Sequence, residues 1–360
     1  MAKRILHVAK FYPPAAGGME RVVQTLCRAS EGLVESRVLA LNAGRETIEE
    51  VVDGVPVTRV GVALRAGSVA IAPGLERHLR RPEADLVILH EPNPWALLSY
   101  AIARPDVPLA IWYHSDVVRP RLQYSLFYAP LARTAYSRAR RFIVSSPPLG
   151  EQADALEPYR DRICVIPFGI DAARWTPGWA AGNGTPPFVL FVGRHVAYKG
   201  VDVLIRALHG TGIRAVVAGD GPRRATWESL ARGLGVDVRF TGDVSDAELR
   251  ELFASCAAFV LPSISRAEAF GYVQLEAMAS GKPVISTDVP SGVSWVNQHE
   301  RTGLIVPAGD ADALRAALRR LMEDETLRAR LGRQARQRIE DEFTLAHLRE
   351  RLRAFYAEAA

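Results

Sequence analysis

Short apolar runs alternate with longer stretches in which apolar residues recur every three or four positions. Ile5 to Phe11 reads as a strand and is followed by Pro13, Pro14, Gly17 and Gly18. Met19 to Leu33 then reads as a helix, with Val22, Leu26 and Ala29 on one face. Further strand-like runs are Arg37 to Leu41, Val55 to Val60, Leu86 to Leu89, Leu109 to Tyr113, Phe142 to Val144 and Ile163 to Ile166. Helical stretches separate several of them. Apolar strands interleaved with helices predict an α/β fold with a parallel sheet covered on both faces.

The second half repeats the alternation. Phe188 to Val192, Ala215 to Ala218, Ala258 to Leu261, Val284 to Ser286 and Gly303 to Val306 read as strands. Val201 to Leu208 carries a stripe of Val201, Leu204, Ile205 and Leu208. Ser245 to Cys256 is a helix with Leu249, Leu252, Phe253 and Cys256 inward, and Ser245 with Glu248 forms a capping-box pair. Gly271 to Ser280 is helical and is closed by Gly281 and Pro283, and from Asp310 onward the chain is helical. The Gly- and Pro-rich stretch from Trp175 to Pro187 reads as a linker or a loop following one. The predicted domains are residues 1–168 and 169–340, with a terminal helical segment 341–360. Ligands of such folds bind in loops at the C-terminal ends of the strands, here in a cleft between the domains.

Composition narrows the class only slightly. The 360 residues are 48% hydrophobic and 24% charged, as in globular proteins, and suffice for two cores. No run approaches the roughly 18 apolar residues of a membrane span. The N-terminus lacks a signal-peptide pattern. Cys27, Cys164 and Cys256 show no metal or redox spacing, so a reducing cytoplasm is expected. The net charge of +5 comes without a nucleic-acid-binding motif, leaving nucleotide phosphates or an anionic membrane as expected partners. Between Arg119 and Arg141 lie Arg121, Arg133, Arg138 and Arg140, interleaved with Tyr124, Phe127, Tyr128 and Tyr136. Such a stretch suits peripheral contact with the inner membrane face. It equally suits a solvated face over a core stripe.

The candidate chemistry clusters after strands. Glu268-Ala-Phe-Gly-Tyr-Val-Gln-Leu-Glu276 runs from a loop into a helix. A helix start offers unpaired N–H groups and partial positive charge to an anion, and Gly271 lets backbone approach it. The flanking carboxylates Glu268 and Glu276 suit sugar hydroxyls, so the pattern asks for a sugar–phosphate. Gly193-Arg-His-Val-Ala-Tyr-Lys-Gly200 adds Arg194 and Lys199, which can grip a diphosphate; the alternative is a solvated basic loop. Gly219-Asp-Gly-Pro222 shapes a nucleotide pocket or is only a turn. At Arg239-Phe-Thr-Gly242 a base could stack near Phe240 and bond the backbone by Thr241, or Phe240 is core. Gly17 and Gly18 admit a phosphate or acceptor, or make a plain turn; they are no dinucleotide fingerprint. His114 ends a strand and either bonds a sugar hydroxyl or is a satisfied buried histidine.

Together these residues resemble the retaining glycosyltransferases of family four, which have the GT-B fold. The resemblance covers nearly the whole chain. Glu268 to Glu276 matches that family's E-x7-E element, and Gly193-Arg194 with Lys199-Gly200 its diphosphate loop. Gly17-Gly18, His114, Val216 to Pro222 and Ile166 to Asp171 fall on further family elements. Ala269-Phe270-Gly271 departs from the usual GFG, and the Pro177 to Pro187 loop is unusual. His114 to Leu131, Ser265 to Met278 and Ser291 to Pro307 resemble bacterial enzymes that transfer mannose from GDP-mannose in surface-polysaccharide synthesis.

The resemblance implies two Rossmann-like domains and a last helix, within Leu345 to Tyr356, crossing back onto the first. It implies that Arg194 and Lys199 bind the donor diphosphate and stabilise the leaving nucleotide. The backbone of Phe270, Gly271, Tyr272 and Val273 would hold the distal phosphate. Glu268 would contact the donor sugar, Glu276 the ribose and His114 the sugar near the reacting centre. Gly17, Gly18, Gly219, Phe240 and Thr241 complete the expected donor site. The implied acceptor is a saccharide, free or on a polyprenyl carrier. Neither a cofactor nor an obligatory metal is implied, and the loops named contain no Asp-x-Asp element. The alternatives are a UDP-sugar donor, a phosphorylase or epimerase of the same fold, or a non-catalytic nucleotide-sugar sensor. A pyridoxal-phosphate phosphorylase needs a Schiff-base lysine, and none of Lys3, Lys10, Lys199 and Lys282 has an obvious cofactor context.

Overall fold

The computed structural model describes residues 2–15, 17–66, 69–116, 128–176 and 187–359. The chain forms two units, Met1–Gly169 with Ala346–Ala360, and Ile170–Leu345.

The first unit carries β1 (Arg4–Val8), β2 (Glu35–Leu41), β3 (Ile48–Val52), β4 (Val55–Val60), β5 (Leu64–Ala66), β6 (Val69–Ile71), β7 (Leu86–Glu91), β8 (Leu109–Tyr113), β9 (Ala139–Val144) and β10 (Ile163–Val165). Its main sheet runs β10-β9-β8-β7-β1-β2-β4-β3. The pairings are parallel except at the β3 edge. β7, β8 and most of β9 are buried, as expected of strands covered on both faces. Order reverses about β1, so the ends of β1 and β7 flank a topological switch point.

Two features depart from the expected all-parallel sheet. β3 pairs antiparallel with β4 through a two-residue turn at Asp53 and Gly54, with φ of 50° and 78°. Such turns favour Asp-Gly because both residues have positive φ. β3 has little apolar periodicity because it is an exposed edge, so hydrophobic patterning passes over it. β5 and β6 form a separate small antiparallel pair.

The first helix, Gly18–Ala29, ends earlier than its periodicity suggests. The Ser30 N–H donates to Leu26 and Cys27 carbonyls, and Ser30 Oγ lies 3.0 Å from Tyr356 Oη. That contact belongs to the last helix, Leu345–Ala359, which returns to this unit. Lys3 Nζ donates to the Tyr356 carbonyl at 2.8 Å, and Arg349 to the Ala29 and Glu31 carbonyls. Residues 341–345 remain with the second unit, where Ile170 N–H donates to the Phe343 carbonyl at 2.7 Å.

The second unit carries β11 (Phe188–Val192), β12 (Arg214–Ala218), β13 (Val238–Gly242), β14 (Ala258–Leu261), β15 (Val284–Thr287) and β16 (Gly303–Val306). Its parallel sheet runs β13-β12-β11-β14-β15-β16 and reverses order about β11. The helix Val201–Leu208 buries Val201, Leu204, Ile205 and Leu208 against it, as the stripe predicts. Helix Asp246–Ser255 starts with the expected capping box between Ser245 and Glu248. Among the described residues, no helix is long and apolar enough to cross a membrane.

Candidate active site

In the second unit, β11 and β14 are neighbours, so the loops leaving their C-terminal ends lie side by side. The first is Gly193 to Gly200 and the second Pro262 to Gly271. Gly200 has φ of 65°, and a Cβ there would overlap the Pro262 carbonyl oxygen. Ile264 N–H donates to the Tyr198 carbonyl at 2.8 Å. These close backbone contacts bring Lys199 to Glu268.

Lys199 Nζ donates to Glu268 Oε2 at 2.5 Å, and Ser263 Oγ donates to the same oxygen at 3.0 Å. Lys199 and Glu268 are only 9% and 7% exposed, so Lys199 is no solvated basic side chain. Burial opposes the ammonium charge, but Glu268 and Tyr198 outweigh it and raise the Lys199 pKa. The ammonium is therefore held charged and low in the loop, near the position a Cβ on Gly193 would occupy. Arg194 is exposed at the loop mouth and makes no ion pair among the described residues.

Helix Tyr272–Ala279 begins after Glu268, and no side chain caps its start. Its N-cap, Gly271, has φ of 69°. A Cβ there would lie 2.6 Å from Leu261 Cδ2. Glycine is thus needed for the left-handed backbone and for packing on β14, a reason the sequence does not display. The Phe270 ring is buried against Trp295 and Phe343, and its carbonyl accepts from Gln274 Nε2 at 2.6 Å. Tyr272 and Val273 are partly buried at the helix start. Glu276 lies one turn on and is 3% exposed.

Gly219 to Gly221 stacks on Gly193 to His195. Gly193 N–H donates to the Ala218 carbonyl at 3.0 Å and His195 N–H to the Asp220 carbonyl at 2.8 Å. With φ of 109°, a Cβ on Gly219 would overlap the Gly193 carbonyl oxygen. The Gly219 turn therefore braces the basic loop. Phe240 is partly buried and packs on the core, and Thr241 Oγ1 donates to the Gly242 carbonyl. The His195 ring, absent from the sequence-based expectations, is fully buried 5.1 Å from Trp227 and 6.0 Å from Phe240.

Gly17, Gly18 and His114 belong to the first unit. Gly17 precedes helix Gly18–Ala29, and the Glu20 carboxylate folds over it, where a Cβ would collide. Burial raises the Glu20 pKa. Among the described residues nothing lies within 4 Å of where a Cβ on Gly18 would stand. His114 is 8% exposed and follows β8, and its N–H donates to the Glu91 carbonyl at 3.0 Å. Glu91, which the sequence reading passed over, ends β7 fully buried and accepts from Tyr128 Oη. Burial pushes its carboxyl up to about 7. Tyr128 and Tyr136 are buried, so these aromatics of the 119–141 stretch face the core, while residues 117–127 lie outside the described residues. The 177–186 part of the unusual loop lies outside them too. Among the described residues, no group of three His, Cys, Asp or Glu side chains is placed to hold a metal ion.

Sequence comparison matches residues 16–174 to the family described as Glycosyltransferase Family 4 and residues 180–338 to Glycosyl transferases group 1. D-rhamnosyltransferase WbpZ of Pseudomonas aeruginosa is 34% identical over 95% of this chain and 92% of that protein. O-antigen chain mannosyltransferase C of Escherichia coli is 32% identical over 96% of this chain and 95% of that protein. Sucrose-phosphate synthase from Thermosynechococcus elongatus superposes with a TM-score of 0.80 at 22% identity, covering 99% of this chain and 98% of that one. Anabaena Alr3699/HepE in complex with UDP and glucose superposes with 0.79 at 20% identity, covering 99% and 100%. These structural likenesses establish the GT-B fold.

Proposed function

The chain belongs to the group 1, family 4 glycosyltransferases, and from that premise we propose that it transfers α-mannose from GDP-mannose to a hydroxyl of a saccharide acceptor, with retention of configuration. The acceptor stands free or on a polyprenyl carrier, in the synthesis of a bacterial surface polysaccharide. The observation that carries the reading is the buried Lys199–Glu268 pair at the ends of two adjacent strands. A preformed cation beside an uncapped helix start suits charge that develops on a departing diphosphate.

In this reading Lys199 and Arg194 hold the diphosphate, and the backbone from Phe270 to Val273 binds the distal phosphate. Glu268 fixes Lys199 and reaches the donor sugar, and Glu276 takes the ribose. Gly219 braces the diphosphate loop, while Phe240 and Thr241 border the base. Of the first unit's residues, His114 is assigned to the sugar near its reacting carbon, and Gly17 and Gly18 to donor binding. The bond from C1 to the diphosphate oxygen breaks and the acceptor oxygen bonds C1 on the same face. Its proton passes to the departing diphosphate. Protein cations carry the charge, so the reading uses neither cofactor nor metal.

The manno configuration draws support from the two relatives matched over nearly their full length, a D-rhamnosyltransferase and a mannosyltransferase, since D-rhamnose is 6-deoxy-D-mannose. A 6-deoxyhexose donor is accordingly the second reading. The test is a thermal-shift and turnover panel of GDP-, UDP-, ADP- and dTDP-sugars, with GDP-mannose beside GDP-D-rhamnose, and NMR of the product anomer. We expect stabilisation and turnover with GDP-mannose and an α-linked product. Turnover confined to uridine nucleotides, or a β-linked product, overturns the donor or the stereochemistry respectively.

A further inference from the structure

Three histidines of the first unit form a row on one face of its sheet. His7 lies on β1, His90 on β7, and His114 just after β8. The strand register explains the row. His7 pairs with Ile88, and His90 stands two residues beyond Ile88. His90 pairs with Trp112, and His114 stands two residues beyond Trp112. Residues two apart on a strand share a face, so each step moves one strand across and one pleat toward the C-terminal edge. His7 Nδ1 lies 3.0 Å from His90 Nε2, and His90 Nδ1 lies 2.8 Å from His114 Nε2. The successive rings are near parallel, at 28° and 20°. Trp112 stacks along the row at 16° to His90 and 17° to His114, and Phe168 stacks on His114.

All three rings are neutral near pH 7. Burial lowers His7 to about 4 and His114 to about 3, and His90 well below its ordinary value. A neutral imidazole has one N–H and one bare nitrogen. Each of the two contacts needs one proton between its nitrogens. The third proton then sits at one end of the row, on His7 Nε2 or on His114 Nδ1. His7 Nε2 is buried and has no hydrogen-bond partner among the described residues. A proton there would make an orphaned buried donor, which folded proteins avoid. We propose that His7 and His90 are positioning residues that lock His114 as the Nδ1–H tautomer, so that it offers a donor to an acceptor oxygen of the bound sugar donor.

The tautomer follows from the row alone; its use on substrate rests on the reading of His114 given above. Every N–H in the row then points the same way, from His7 toward His114. A ligand that instead needed His114 to accept would require three protons to shift together and would leave the buried N–H at His7. The row thus fixes the polarity of one substrate contact from two residues that never touch substrate.

The test uses the full chain labelled with ¹⁵N-histidine, with imidazole nitrogens read by long-range ¹H–¹⁵N correlation at pH 7 and His114 assigned from His114→Gln. His114 is expected to show a protonated Nδ1 and a bare Nε2. The reverse pattern, or an average of the two forms, overturns the proposal. In His90→Leu the His114 signals should average, and kcat/KM should fall about tenfold while nucleotide-diphosphate affinity stays unchanged. His90→Gln should restore most of the rate, because its amide oxygen can accept from His7 and its amide N–H can donate to His114. A His90→Leu protein that keeps a pure Nδ1–H His114 removes the row as the cause. If instead His114→Ala turns over at the wild-type rate while the wild-type tautomer is as stated, the reading of His114 as a substrate contact fails and the row stands.

Discussion

Lys199 and Glu268 are 69 residues apart in the chain and 2.5 Å apart in the folded second unit. Their contact joins the two loops to which we assign diphosphate binding. Removing one partner of a buried pair leaves an uncompensated charge, which typically costs about 3–5 kcal/mol. Lys199→Ala should therefore lose both stability and transfer. In Lys199→Ala/Glu268→Gln the stranded charge is gone, so most of the stability should return. Transfer should stay at least about a hundredfold down, as for loss of one charge-stabilising donor. Thermal midpoints and initial rates of both variants check this; a double variant with near wild-type turnover would contradict the role of Lys199.

Gly219→Ala and Gly18→Ala should separate bracing from simple approach. Gly219 has positive φ and abuts the Gly193 carbonyl, so alanine should cost about 2 kcal/mol or more and loosen nucleotide binding. Gly18 has open space at a helix start, so alanine there should leave stability within about 1 kcal/mol of wild type. Denaturation midpoints decide it: equal losses at both positions would refute the distinction.

Acid stability should reflect two opposing burials in the first unit. His7, lowered to about 4, binds protons more readily when unfolded, so its contribution is present above pH 6.5 and is lost as pH falls toward 4. His114 acts in the same sense, lowered to about 3. Glu91, raised to about 7, binds its proton more readily when folded. Its contribution is present below pH 4.5 and is lost as pH rises through 7. Glu91→Gln removes that compensation. Its thermal midpoint should fall more steeply than wild type between pH 7 and 4.5, and parallel curves would show that Glu91 is ionised throughout.

Ser245→Ala should cost about 1 kcal/mol by breaking the capping box with Glu248. Glu248→Ala, which removes the reciprocal bond to the Ser245 N–H, should cost a similar or smaller amount. The two losses should be less than additive because they share one motif. A double-mutant cycle on urea midpoints measures the coupling, and full additivity would argue against a cooperative cap.

Much of this protein was legible in its sequence. Short continuous apolar runs and period-3.6 stripes located most of the strands and several helices, because burial on both faces of a sheet, or on one face of a helix, imposes those patterns. The stripe Val201, Leu204, Ile205 and Leu208 and the Ser245–Glu248 cap are read directly from residue types. The glycine- and charge-bearing loops announced themselves after strands, since special backbone angles and anion binding demand particular residues.

What the pattern could not decide depends on contacts between distant segments. Edge strand β3 is exposed and so carries little apolar signal. Glycine at 271 looked like access for a ligand, yet its tight neighbour is Leu261. Lys199 read as a diphosphate cation or part of a solvated basic loop; only the fold shows it buried on Glu268. His7 read as an ordinary strand residue and His90 drew no reading, because nothing local states that a register of two residues per strand will line them up with His114. Local sequence sets which face a side chain takes; only strand pairing sets whose side chain it meets there, and the chemistry of buried charges and ring protons is fixed by that second choice.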